Sequence, residues 1–210
     1  ENYDLVMPWT PEGIKNIPSC FRGNSFQSST CAGPNFMDFD NSKPISSRFD
    51  FSENFNKTIV YIGGLSIGRV DFKLLHALAS NLPDHAILIG AKPDGHHETK
   101  IAIEKLIAHA NVFLFEDLDY AELANLTHSA NACIIPYKTS GFNAGCCPNK
   151  LFEYAALGKP IISSPIPTVQ QYAPLVRIGH DEKSFLRCVR VATANPPSEQ
   201  EQANLRNLAQ

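Results

Sequence analysis

The chain lacks most of what several common functions require. Its 18 Lys and Arg are set against 21 Asp and Glu, a formal net charge of -3, so there is no global basic field for nucleic acid and no polybasic membrane anchor. Any anion must be bound locally. No apolar run approaches the roughly 18 residues of a membrane span, and no stretch resembles a signal peptide. Cysteine is sparse: Cys20, Cys31, Cys133, Cys146, Cys147 and Cys188 show no CxxC spacing and no histidine pattern for zinc. Free thiols in a reducing compartment, the cytoplasm, are the expectation. The GxGxxG spacing of a dinucleotide fingerprint is also missing, because Gly68 falls at the wrong offset from Gly63 and Gly64. This argues against an ordinary dehydrogenase.

What is present is 43% hydrophobic content in 210 residues, enough for one substantial core or two small ones. Residues 1–56 are irregular, punctuated by Pro8, Pro11, Pro18, Gly23, Gly33, Pro34 and Pro44, with a strand expected near Asp4 to Met7 and a short helix near Glu12 to Ile17. From Lys57 the pattern changes. Apolar runs at Lys57 to Gly63, His85 to Gly90, Asn111 to Phe115, Ala130 to Pro136, Pro160 to Ser164 and Leu175 to Ile178 read as buried strands. Between them lie helical patterns at Phe72 to Ala79, Thr99 to Ala108 and Tyr120 to Ser129, and after them at Glu182 to Thr193 and Ser198 to Leu208. Continuous apolar strands alternating with helices predict an α/β fold: a Rossmann-like, doubly wound parallel sheet of about six strands with helices on both faces. Ligands in such sheets sit beyond the carboxyl ends of the strands, where strand order reverses.

The most informative stretch runs from Pro148 to Pro160 and into Ile161-Ile162-Ser163-Ser164. It puts Lys150 and Glu153 at the start of one short helix, with Pro148 expected at the first helical position, where its missing N–H would have had no partner. Three residues apart, the two side chains reach one side of the helix mouth, and a lysine beside free N–H groups suits a phosphate. Gly63-Gly64 and Arg69 follow the first strand. Glycines let a backbone approach a phosphate oxygen and arginine offers a planar fork of donors, so together they suggest a diphosphate clamp. Gly90-Ala91-Lys92 is a secondary contact of the same kind. Glu116-Asp117-Leu118 closes the third strand, where backbone groups could read a nucleobase edge, while Asp117 or Asp119 could equally cap the next helix. Tyr137 is open between stacking on a base or sugar and packing in the core. Cys146-Cys147 read as small packing residues, and His96-His97-Glu98 as solvated surface rather than a metal cluster.

These residues resemble the C-terminal, donor-binding half of a GT-B-fold glycosyltransferase, in particular the bacterial sugar-nucleotide transferases that build surface polysaccharides. Their pattern is a strand ending in Pro-Tyr, a variable loop, then P-x-K-L-x-E-Y-x-A-x-G-K-P; here Pro136-Tyr137 and Pro148 to Pro160 match it. Residues 1–56, with Asp4-Leu5-Val6 and Gly33 to Asp38, are similar to the end of an acceptor domain and its interdomain linker, leaving 57–210 as the donor domain. The resemblance implies that the chain is a piece of a longer enzyme moving a sugar from a nucleotide diphosphate sugar, UDP-linked, to a saccharide or lipid-linked acceptor. A nucleotide-binding fragment without turnover and a GT-B-fold epimerase are the alternatives. It also implies that Glu153 accepts hydrogen bonds from the ribose hydroxyls, that Lys150, Arg69 and the Gly63-Gly64 loop hold the diphosphate, and that the base rests against Asp117 and Leu118. Tyr137 and Leu151 complete the implied donor site. No metal or cofactor is expected, since Lys, Arg and a helix end can stabilise the leaving group. Many retaining members carry a second glutamate eight positions before the ribose-binding one, and Gly145 stands there instead. An inverting enzyme is therefore favoured, with its general base on an N-terminal acceptor domain outside the chain, through which the inner membrane face would be approached.

Overall fold

The computed structural model describes residues 32–40, 42, 46–139 and 141–209. The strand expected near Asp4 to Met7, the helix near Glu12 to Ile17, Cys20 and Cys31 lie outside the described residues. Six strands form one sheet: β1 (Lys57–Ile62), β2 (His85–Gly90), β3 (Val112–Phe115), β4 (Ala132–Ile135), β5 (Ile161–Ser163) and β6 (Val176–Ile178). Their order is β3-β2-β1-β4-β5-β6 and every pairing is parallel. β1 and β2 align over their whole length, from Lys57 opposite His85 to Ile62 opposite Gly90. The doubly wound sheet expected from the apolar runs is thus the observed one.

The chain walks outward from β1 to β3, returns across the sheet, and walks outward again from β4 to β6. The reversal falls between β1 and β4. Because crossovers between parallel strands are right-handed, the two walks put their helices on opposite faces. On one face α2 (Phe72–Asn81) packs against α3 (His97–Ile107) and α7 (Glu182–Ala194). On the other, α5 (Lys150–Ala156) packs against α8 (Glu199–Leu208) and α1 (Pro34–Met37), and α1 also meets α4 (Tyr120–Ser129). A four-residue helix α6 (Pro167–Gln170) bridges β5 and β6. Covered on both faces, β2 and β4 are buried at every position, which is why their sequences read as unbroken apolar runs.

Helix starts follow their caps. Asp71 accepts a hydrogen bond from the Leu74 amide, while Asp119 with Glu122, Asp181 with Ser184 and Ser198 with Glu201 form reciprocal capping boxes. Helix α3 starts at His97 rather than Thr99, with His96 as its cap residue, so His97 and Glu98 form its exposed first turn instead of a preceding loop. The short helices α1 and α6 had no sequence pattern long enough to reveal them. Residues ahead of β1 cover its outer neighbours: Phe49, Phe51 and Phe55 set their rings against Phe113 and Phe115 of β3 at centroid distances of 5.3, 4.4 and 5.6 Å for the nearest pairs. Phe36 and Phe49 are fully within the core.

Candidate functional site

The reversal between β1 and β4 opens a crevice, and a tyrosine props it open. The two strands pair only at Ile59 opposite Ala132 and Val60 opposite Cys133. Beyond that point the hydroxyl of Tyr154, from α5, accepts a hydrogen bond from the Ile62 amide at 2.9 Å and donates to the Ile134 carbonyl at 3.4 Å. One side-chain hydroxyl thereby replaces the next rung of the ladder. It also fixes α5 against the strand ends, with Lys150 and Glu153 at the mouth of the crevice.

Gly63 follows β1 with φ +113°, a conformation that side-chain-bearing residues rarely adopt, and its amide donates to the Gly90 carbonyl. A Cβ there would lie 3.1 Å from the Lys150 ammonium nitrogen. The missing side chain is the space the ammonium group occupies. Lys150 is only 7% exposed. Its Nζ donates to the Tyr137 hydroxyl and lies 4.7 Å from the Tyr137 ring centre and 5.2 Å from that of Tyr61. The ion pairs of the described residues are Arg48–Glu122 and Asp84–His85, so no carboxylate among them is in contact with Lys150. Aromatic faces attract a cation but supply no countercharge. Tyr137 is buried edge-on against Tyr61, 6.4 Å between centroids. Of the two readings open for it, its ring packs as a wall of the site and its hydroxyl serves the lysine.

Arg69 lies on the β1–α2 connection with its guanidinium carbon 5.6 Å from the Tyr137 ring centre and 4.7 Å from that of Phe142. Its charge and that of Lys150 converge on one thiol: burial raises the pKa of Cys146, and Arg69 and Lys150 both pull it back down. The net upward shift and the buried position of both Cys146 and Cys147 fit packing residues rather than nucleophiles. Glu153, 9% exposed, has its carboxyl pushed above the ordinary range by burial, with Lys150 opposing. Among the described residues no ion pair or hydrogen bond engages that carboxyl. Leu151 is fully buried and its amide donates to the Pro148 carbonyl, so it contributes packing beneath the site. Pro148 lies two positions before the first helical residue, with Asn149 as the cap, rather than at the first helical position itself.

Beside this cluster is a cleft of about 420 Å³ lined by Gly63, Gly64, Gly90, Ala91, Lys92, Asp117, Leu118, Asp119 and Leu123. It gathers the ends of β1, β2 and β3. The site residues read from the sequence therefore fall into two adjoining groups that share Gly63: Gly64, Asp117 and Leu118 in the cleft, and Arg69, Tyr137, Lys150 and Glu153 around the cationic crevice. Asp117 holds φ +57°, a strained value for a residue with a side chain, and Asp119 rather than Asp117 caps α4. The second lysine of the long motif, Lys159, sits at the opposite end of the sheet, where its Nζ donates to the His128 and Ala130 carbonyls at the C-terminal end of α4. It is a helix-capping residue.

Sequence reasoning missed Tyr154 and Asn143. Asn143, buried in the 3₁₀ turn Gly141–Gly145, donates from Nδ2 to the Arg69 carbonyl at 2.9 Å and the Lys138 carbonyl at 2.8 Å. An Asp-x-Asp spacing occurs twice, at Asp38-Phe39-Asp40 and Asp117-Leu118-Asp119. Among the described residues no group of three or more His, Cys, Asp or Glu is placed to hold a metal ion. No helix among them is long and apolar enough to cross a membrane.

Solved structures share this architecture. The chain superimposes on the glycosyltransferase WaaG, which is involved in lipopolysaccharide biosynthesis, with TM-score 0.66 at 15% identity, covering 97% of this chain and 57% of that one. It matches a UDP-forming α,α-trehalose-phosphate synthase from Burkholderia vietnamiensis with TM-score 0.72 at 10% identity, over 99% and 57% of the two chains. At such identities the likeness is one of fold, and the fold is that of the C-terminal domain of a GT-B glycosyltransferase. In sequence, 112 residues are 30% identical to the putative teichuronic acid biosynthesis glycosyltransferase TuaH of Bacillus subtilis (strain 168), covering 53% of this chain and 27% of that protein. Residues 56–194 match the profile of the family described as Glycosyl transferases group 1. The chain belongs to that family.

Proposed function

We propose that this chain is the donor-binding half of a sugar transferase that takes a nucleotide diphosphate sugar, UDP-linked, and passes the sugar to a saccharide or lipid-linked acceptor. The observation that carries the reading is Lys150: a buried cation without a carboxylate partner among the described residues, at the strand-order reversal, held where Gly63 has no side chain. Burying a charge is costly unless it is paired, and a diphosphate bound at this point would pair it. Arg69 would hold the same diphosphate, and the Gly63-Gly64 backbone would approach it closely. Glu153, a buried carboxyl one helical turn from Lys150, would accept from the ribose hydroxyls, and the base would enter the cleft against Asp117 and Leu118.

In the reaction, cleavage between the anomeric carbon and the diphosphate oxygen leaves negative charge on the diphosphate. Lys150 and Arg69 are already placed to stabilise that charge as it develops, so the step runs without a metal. The segment Gly141–Gly145 ends at Gly145 and carries no acid, which favours inversion at the anomeric carbon, with the general base supplied by an acceptor domain. The chain spans about half the length of the solved enzymes it resembles, covering 57% of WaaG. In the cell the enzyme works on the cytoplasmic side, at the inner membrane face. Thermal denaturation tests the site: UDP raises the melting temperature, more than GDP does, and Lys150→Ala and Glu153→Ala each remove most of the effect. An unchanged shift in both variants would show that the site lies elsewhere.

A further inference from the structure

We propose that the β4–α5 connection is the positioning device for Arg69, with Asn143 fixing its backbone and Phe142 fixing its guanidinium. The proposal rests on the diphosphate clamp described above. The Arg69 carbonyl is the meeting point of two loops: it accepts from the Lys138 amide at 2.9 Å and from Asn143 Nδ2 at 2.9 Å, next to an antiparallel bridge between Val70 and Tyr137. Asn143 is 1% exposed, and its second Nδ2 bond, to the Lys138 carbonyl, ties the start of its own loop to the same point. Both bonds use the Asn143 Nδ2, and among the described residues its Oδ1 is buried without a partner. What the residue does secure is the relative position of the two loops.

The side chain of Arg69 is held separately. Phe142 is 70% exposed, so burial does not account for it, and its ring is the nearer of the two aromatic faces around the Arg69 guanidinium. Stacking uses the flat faces of a guanidinium and leaves its N–H donors pointing outward in the plane, where a phosphate is recognised. Among the described residues no hydrogen bond or ion pair occupies those donors. Tyr137 touches both cations, with Lys150 on its hydroxyl and Arg69 over its ring. Phe142 and Asn143 therefore fix Arg69 with respect to Lys150 without being expected to touch the phosphates themselves.

Calorimetric titration of UDP and UMP into the wild-type chain, Arg69→Ala, Phe142→Ala, Asn143→Ala and the doubles with Arg69→Ala tests this. Phe142→Ala and Asn143→Ala are each expected to weaken UDP by about three- to tenfold, with a smaller loss for UMP and no additional loss when Arg69 is already alanine. Phe142 is exposed and its removal leaves the fold intact, so that variant carries the test even if Asn143→Ala does not fold. Wild-type UDP affinity in Phe142→Ala, a parallel loss of UDP and UMP, or an undiminished loss in the Arg69→Ala background would each overturn the proposal while leaving the clamp standing. If the wild-type chain binds no UDP, or Arg69→Ala binds it unchanged, the clamp fails and the proposal with it.

Discussion

Glu153 and Gly63 show what single residues contribute at the strand ends. Burial raises the Glu153 carboxyl above its ordinary range, against the pull of Lys150. A group whose folded pKa is raised gives stability that is fully present below its unfolded value and lost as pH rises through the folded one. Glu153→Gln is therefore expected to melt above the wild type at neutral pH, with the gap closing below about pH 4, where the unfolded carboxyl is protonated as well. Melting curves across that range check it; a gap independent of pH would contradict it. The same substitution is expected to weaken uridine binding, trading site function for stability. Gly63→Ala should act twice. A side chain at φ +113° costs about 1–3 kcal/mol, read from the urea midpoint, and its Cβ 3.1 Å from Lys150 Nζ displaces the ammonium, read as lost UDP binding.

At the scale of elements, the starts of helices and the close approach of helix to strand can be separated by mutation. Asp119→Ala removes the capping box of α4 and is expected to cost about 1 kcal/mol in urea unfolding. Gly179→Ala should cost more, about 1–3 kcal/mol, because its Cβ would fall 2.5 Å from the Phe185 backbone of α7, which cannot move without moving the helix. Equal costs would mean that α7 yields. The same distinction explains what could be read from the chain in advance. Strands β2 and β4 were legible because burial on both faces leaves unbroken apolar runs, and α4 because a helical pattern follows two aspartates, either able to cap it, of which Asp119 is the one that does. Lys150, Glu153 and Gly63 were legible because each is a chemically unusual residue at a strand or helix end. Tyr154 and Asn143 were not: their work is done on backbone atoms of β1, β4 and the β1–α2 loop, contacts that no local spacing encodes. Pro148 was placed two positions too far into α5, since the turn that precedes the helix has the same residue preferences as its first position.

For the whole molecule, the sheet order concentrates the chemistry. Reversal between β1 and β4 brings the Gly63 turn, the Tyr137 strand end and the start of α5 to one crevice, and Tyr154 keeps it open by taking the place of a strand-to-strand hydrogen bond. The far end of the sheet is occupied by helix C-termini, with Lys159 capping one of them. Two cations therefore have different fates in one motif, Lys150 without a carboxylate in contact among the described residues and Lys159 spent on carbonyls. We propose that Lys150 is the diphosphate's partner and not a structural cation. Calorimetric titration of UDP and uridine into the wild-type chain and Lys150→Met measures this most directly, since methionine keeps most of the buried volume and removes the charge. The expected result is a loss of about tenfold or more in UDP affinity with uridine affinity unchanged; equal UDP affinity in the two proteins, or an equal loss for both ligands, would contradict it.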